Sequence, residues 1–162
     1  MKLDASYWNQ RYLDQHTPWD VGEATRPISA YFQQIYRKDH RILFPGAGHA
    51  HEAEWLHRNG FSDVSVIDFS AQALQNFQAR FPNFPAEHLI QKDFFAHKGQ
   101  YDYIVEQTFY CAIAPDLRDL YVQQMARLLK PGGKLGGPLF EFPLDLSSGP
   151  PFGGYLSEYQ EP

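Results

Sequence analysis

The sequence predicts an α/β fold, a doubly wound and mostly parallel sheet in three layers. Two observations in its 162 residues predict it. From residue 40 onward short apolar runs alternate with amphipathic stretches, the pattern of strands linked by crossover helices. A turn bracketed by glycines, "PGAGHAH", follows the first apolar run, and Asp68 closes the second.

Each element has a local reason. Residues 4–14 carry Trp8 and Tyr12 and read as a short helix with Asp4 or Ser6 as N-cap. "TPWDVGEATRP" breaks regularity with Pro18, Gly22 and Pro27. Ile28, Tyr31, Phe32 and Ile35 recur at helical steps, which predicts a helix over 27–38. "RILF" reads as a buried strand, and "HEAEWLHRNG" as a helix closed by Gly60. "DVSVIDF" is a second strand, and Ser70 caps a helix from Ala71 to Arg80. "EHLIQKD" and "YDYIVEQ" are the third and fourth strands. A long helix runs from Pro115 to Leu129, with an apolar stripe of Leu117, Leu120, Tyr121, Met125, Leu128 and Leu129. "KPGGK" ends that helix, and "KLGGPLFEF" is the expected fifth strand.

Bulk properties exclude some classes. The net charge of −5 and the scattered basic residues argue against nucleic acid. A single cysteine, Cys111, permits no disulfide within the chain and fits a reducing compartment. No signal peptide or membrane span is legible, so the expectation is a soluble, cytoplasmic protein, monomeric or weakly dimeric.

The glycine turn carries the functional question. At the carboxyl end of a first strand, Gly46 and Gly48 allow positive φ and close approach of a ligand to the backbone. Twenty residues further, Asp68 sits where a carboxylate accepts from both hydroxyls of a ribose. The competing readings are a plain structural turn and a solvated strand end. A dinucleotide turn wants a third glycine where His51 stands, which disfavours NAD, and no Gly-Lys-Ser/Thr follows for a phosphate loop. An adenosine ligand without phosphates, such as S-adenosylmethionine, needs only the close approach and the carboxylate. Asp93 can accept from an adenine amino group and Phe94 and Phe95 can pack on the ring, or the three can be a cap and two core side chains. His49, His51, Glu52 and His57 are weighed as a metal site and set aside, because His51 and His57 do not share a helix face.

The stretches "TPWDVGEATRP", "LFPGAGHAHEAEWL", "VIDFSAQAL", "YDYIVEQTFYCAIAPDLRDLY", "LLKPGG" and "GPPF" resemble the thiopurine S-methyltransferase family, close to the plant-type thiol and halide methyltransferases. The resemblance covers nearly the whole chain. It implies a Rossmann-like class I methyltransferase fold that uses S-adenosylmethionine to methylate a small thiol, thiopurine or halide acceptor.

It further implies that Gly46, Ala47 and Gly48 underlie the methionine part of the cofactor. Asp68 falls on the ribose and Phe69 against the adenine, with Asp93 and Phe94 at the adenine rim. Glu106, Gln107 and Thr108 fall beside the methyl group. Trp19, with Trp8 and Tyr12, would close the top as a lid, while Phe109, Tyr110 and Arg118 would face the acceptor. Asp20, Tyr110 and Arg118 are the candidates for binding or deprotonating it, and Arg118 can equally be an ordinary solvated helix residue. No metal is expected.

One domain is expected over 1–162, with an N-terminal helical lid region at 1–38, a cofactor-binding core at 39–142, and a loop and the start of a further helix at 143–162. Family members continue past "GPPF" through a helix and two antiparallel strands, so the expectation is a fold truncated after its fifth strand. That expectation motivates an alternative: a catalytically silent S-adenosylmethionine-binding domain, or a shortened relative that acts by dimerising or binding a partner.

Overall fold

A computed structural model of the chain describes residues 4–14, 26–46, 50–106, 109 and 113–137. Helix α1 spans Ala5–Leu13 and α2 Arg26–Gln33. Strand β1 (Ile42–Pro45), helix α3 (His51–Arg58), strand β2 (Val64–Asp68) and helix α4 (Ala71–Arg80) follow. Strands β3 (Leu89–Gln91) and β4 (Tyr101–Val105), helix α5 (Arg118–Leu128) and strand β5 (Leu129–Gly136) complete the order.

The sheet is five-stranded and parallel, in the order β3-β2-β1-β4-β5. The chain therefore moves outward from β1 on one side and then crosses to its other side. The switch point lies between β1 and β4, and a doubly wound sheet opens its ligand crevice at such a point. β1 and β2 are buried along their whole length, as expected of strands covered on both faces.

Alternation along the strands sorts the core into two layers. Ile42, Phe44, Val64, Val66 and Val105 face α2, α3 and α4, packing with Ile28, Phe32, Leu56, Leu74 and Phe77. Leu43, Ile67 and Ile104 face the other way, against Phe94, Tyr121, Met125 and Leu128.

Caps explain several boundaries. The Asp4 carboxylate accepts from the Tyr7 amide at 3.0 Å and so starts α1, deciding for Asp4 over Ser6 as the N-cap. Ser70 caps α4, as expected, by accepting from the Ala73 amide at 3.1 Å.

Other boundaries differ from expectation. α2 ends at Gln33 rather than 38, because the Gln34 and Ile35 amides bond three residues back, to Tyr31 and Phe32, and tighten the last turn. The third strand shrinks to three residues behind a 3-10 turn at Ala86–His88. The first turn of the long helix, Pro115–Leu117, is also 3-10.

The stripe of α5 needs correction too. Leu117 and Leu120 are exposed, and the face turned to the sheet carries Arg118, Tyr121, Gln124, Met125 and Leu128. Gln124 earns that place through its side-chain amide, which donates to the Phe94 and His97 carbonyls at 2.8 Å each. "KPGG" lies inside β5 rather than before it. Gly133 admits the chain there, since a Cβ would meet the Tyr101 carbonyl oxygen at 3.0 Å, and the pairing with β4 shifts register beside it. Residues 138–142 of the expected fifth strand lie outside the described residues, as do all of 143–162.

Candidate cofactor and acceptor site

The carboxyl ends of the strands bring together Gly46 after β1, Asp68 at the end of β2, Asp93 after β3 and Glu106 after β4. Gly46 has φ +56°, in the left-handed region, and its amide donates to the Ile67 carbonyl at 2.8 Å, tying the turn to β2. A Cβ on Gly46 would collide with the edge of the Phe109 ring, so this residue has no room for a side chain. On the far side of residues 47–49, Ala50 also takes a left-handed conformation (φ 57°, ψ 40°) at the start of α3. Left-handed backbone costs an L-residue roughly 1–2 kcal/mol, so the turn is bracketed by two unusual conformations.

Asp68 is 7% exposed, and its Oδ1 accepts from the Ser70 amide at 2.9 Å. Ser70 is fully buried and its hydroxyl donates to Asn9 Oδ1 at 2.6 Å. The same Asn9 oxygen accepts from the Gln72 amide at 3.1 Å. Helix α1 is thereby fastened to the start of α4, directly beside Asp68. Trp8 is half-buried and Tyr12 buried on that helix.

Glu106 is 3% exposed and both of its oxygens hold named donors. Oε2 accepts from the Phe109 amide at 3.0 Å and Oε1 from the Tyr121 hydroxyl at 3.1 Å. Carboxylate bonds of this kind are about twice as strong as neutral ones. They fix Phe109, whose ring lies edge-on to Phe94 (5.2 Å between centroids, 68° between planes) and near Tyr121. In the sequence Tyr121 reads only as part of an apolar stripe. A tyrosine at a buried helical position does need a partner for its hydroxyl, and that was the available signal.

The other expected site residues fall out as follows. Phe69 is half-buried beside Asp68. Asp93 is exposed and its Oδ1 accepts from the Phe95 amide at 3.0 Å, capping a 3-10 turn. Phe94 is buried among Phe95, Phe109 and Tyr121. Those contacts match the cap-and-core reading of this pair. Arg118 is 6% exposed, so the reading of it as an ordinary solvated helix residue is wrong. Trp19, Asp20, Ala47, Gly48, Gln107, Thr108, Tyr110 and Cys111 lie outside the described residues. Among the described residues no three histidine, cysteine or acidic side chains gather as metal ligands. His57 instead packs edge-on against Phe81.

The residues present fit S-adenosylmethionine. The turn at Gly46 excludes a side chain, and a buried carboxylate stands at the neighbouring strand end, so close backbone approach and a hydrogen-bond acceptor of the kind a ribose requires are both present.

Comparison with known proteins gives the same answer. The family model for thiopurine S-methyltransferase (TPMT) matches residues 3–160. A probable thiol methyltransferase 2 of Arabidopsis thaliana is 32% identical over 160 residues, covering 95% of this chain and 70% of that protein. Thiocyanate methyltransferase 1 of Brassica oleracea is 28% identical, with the same coverage. Among solved structures, the 1,6-didemethyltoxoflavin-N1-methyltransferase of Burkholderia thailandensis with bound S-adenosylhomocysteine superposes with a TM-score of 0.67 at 20% identity, over 86% of this chain and 62% of that one. The glycopeptide N-methyltransferase MtfA, also complexed with S-adenosylhomocysteine, gives 0.61 at 18%, over 75% and 54%. At such identities the structures establish the fold alone. The chain spans under two thirds of both solved chains. With the family model matched from residue 3 to residue 160, the chain belongs to the thiopurine S-methyltransferase family, whose class is S-adenosylmethionine-dependent S-methylation.

Proposed function

We propose that this chain methylates a small, soft nucleophile, a thiol, thiopurine or halide, in the crevice between β1 and β4. The observation that carries the reading is the junction of Gly46, Asp68 and Glu106 at three adjacent strand ends, in a chain of this family. When bound, S-adenosylmethionine supplies an electrophilic methyl group on a sulfonium that is itself a good leaving group. The protein's share is to orient and to exclude water.

Gly46 lets the backbone of the turn approach the ligand, and the Asp68 carboxylate accepts from ribose hydroxyls. Glu106 holds Phe109 down over the turn through its amide. The rings of Phe109, Phe94 and Tyr121 supply an apolar wall that keeps water from the reacting centre. A thiolate is nucleophilic without a strong general base, so the site needs to favour the anion and hold it, and buried Arg118 supplies positive charge on the α5 side. Trp8 and Tyr12 on α1 are the described residues that would serve as a lid. Family membership disfavours the alternative of a catalytically silent domain.

The test is titration of the chain with S-adenosylhomocysteine, repeated with Asp68→Ala. Micromolar binding that is lost in the variant supports the reading; a folded wild type that does not bind overturns it. Turnover of a small thiol or iodide, read as methyl sulfide or methyl iodide, then identifies the acceptor.

A further inference from the structure

Asn9 lies in the middle of α1, where asparagine is a poor helix former because its side chain competes for backbone hydrogen bonds. Here the side chain does something else. Its single oxygen takes two donors from a segment more than sixty residues away, the Ser70 hydroxyl at 2.6 Å and the Gln72 amide at 3.1 Å. Three of the four amides that the start of α4 leaves without helical partners are thus accounted for, with Asp68 satisfying Ser70. Ser70 satisfies Ala73, and a residue of another helix satisfies Gln72.

The Ser70 hydroxyl is central to this arrangement. It has one proton, given to Asn9, and it accepts from Ala73, so its rotamer is set from both sides. Its own backbone amide is held by Asp68 Oδ1. An unbroken chain of hydrogen bonds therefore runs from α1 through Asn9 and Ser70 to the carboxylate at the end of β2. A helix of nine residues is too short to persist unaided in water, so α1 depends on its docking.

We propose that Asn9 is a positioning residue that couples the docking of α1 to occupation of the Asp68 end of the cofactor site. The inference rests on the cofactor reading given above. Ligand hydroxyls held by Asp68 fix the loop over 68–70, and through Ser70 that loop presents its hydroxyl to Asn9. In the other direction, a docked α1 holds the Ser70 hydroxyl and with it the amide that Asp68 accepts from. Linkage makes the two effects equal: whatever docking adds to cofactor affinity, cofactor adds to docking. A side chain outside the strand-end crevice thereby sets how firmly α1 is docked.

The test compares wild type, Asn9→Ala and Asn9→Asp, using S-adenosylhomocysteine as the probe. Calorimetric titration gives affinity, and hydrogen–deuterium exchange over 5–13 gives docking of α1 with and without the probe. In the wild type the probe slows exchange in α1. Asn9→Ala weakens binding by at least about fivefold and abolishes that slowing. Asn9→Asp restores both, because a carboxylate accepts from the same two donors and, though it stands mid-way along α1, faces the N-terminus of α4, where negative charge is favoured. Unchanged exchange in β1 shows that the variants fold. If the probe binds the wild type without slowing α1, or if Asn9→Ala keeps both affinity and slowing, the coupling is refuted and the cofactor reading stands. If the wild type does not bind the probe at all, the cofactor reading fails and takes this inference with it.

Discussion

Replacing Gly46 with alanine loads two separate penalties onto one position. The first is conformational: at φ +56° an L-residue costs roughly 1–2 kcal/mol more than glycine. The second is steric, because the new Cβ would collide with the edge of the Phe109 ring. That ring cannot drift freely. It packs on Phe94 and Tyr121, and the amide of its own residue is held by Glu106. Over-packing of this kind costs roughly 1–3 kcal/mol. The expected total is roughly 2–5 kcal/mol, a large share of the ~5–15 kcal/mol available to a domain. Urea denaturation measures it, and the cycle with Phe109→Ala separates the parts. In the Phe109→Ala background the steric part vanishes and only the roughly 1–2 kcal/mol of backbone strain remains. If Gly46→Ala costs the same in both backgrounds, the close contact with Phe109 is not what demands glycine. A cost under about 0.5 kcal/mol in the wild-type background would refute the left-handed turn as well.

Two further changes probe other parts of the molecule. Glu106→Gln keeps an acceptor for only one of the Phe109 amide and the Tyr121 hydroxyl, so it should destabilise by about 1.5–3 kcal/mol and reduce thiol methylation; equal stability and equal initial rates would show that the carboxylate does not hold the Phe109 loop. Burial opposes ionisation of Asp102, but the Arg41 amide and the Lys130 ammonium outweigh it and hold its pKa below the ordinary value. A carboxylate depressed in the folded state contributes stability that is present above its unfolded pKa of about 3.9 and is lost as pH falls through the folded value. Asp102→Asn should therefore be less stable than wild type at neutral pH, and the gap should close in acid. A gap in denaturation midpoint that stays constant down to pH 3 would contradict that.

The elements that could be read from the sequence were those whose signals are local. Ser70 before an apolar-periodic run, Gly60 after one, and β-branched residues in "VSVID" needed no tertiary partner to be interpretable. That the sheet is parallel followed from alternation alone, whereas its order β3-β2-β1-β4-β5 is visible only in the fold. What stayed hidden depended on contacts far apart in sequence. Arg118 and Gln124 lie on the buried side of α5, a position that composition argues against, and Gln124 is held there by carbonyls of the segment after β3. The glycines of "KPGG" looked like a helix stop, yet β4 draws them into the sheet by pairing. At the site, Gly46 and Asp68 stood out because ligands bind at strand ends beside a switch point, whereas Glu106 came into view only through the family resemblance. Asn9 did not stand out, since nothing near it in sequence shows that it reaches α4.

The two faces of the sheet draw on different stretches of the chain, and this bears on the order in which the polypeptide becomes available during synthesis. The face carrying α2, α3 and α4 takes its buried residues from between Ile28 and Phe84, with Val105 as the late exception. The opposite face has Leu43 and Ile67 early, but the rest of its buried partners run from Phe94 to Leu128. A nascent chain that has reached residue 84 thus holds nearly everything one side of its sheet requires, while the strands' other side has no cover. For as long as α5 is still being made, that uncovered apolar surface is the part of the protein exposed to misassembly and the part a chaperone would meet.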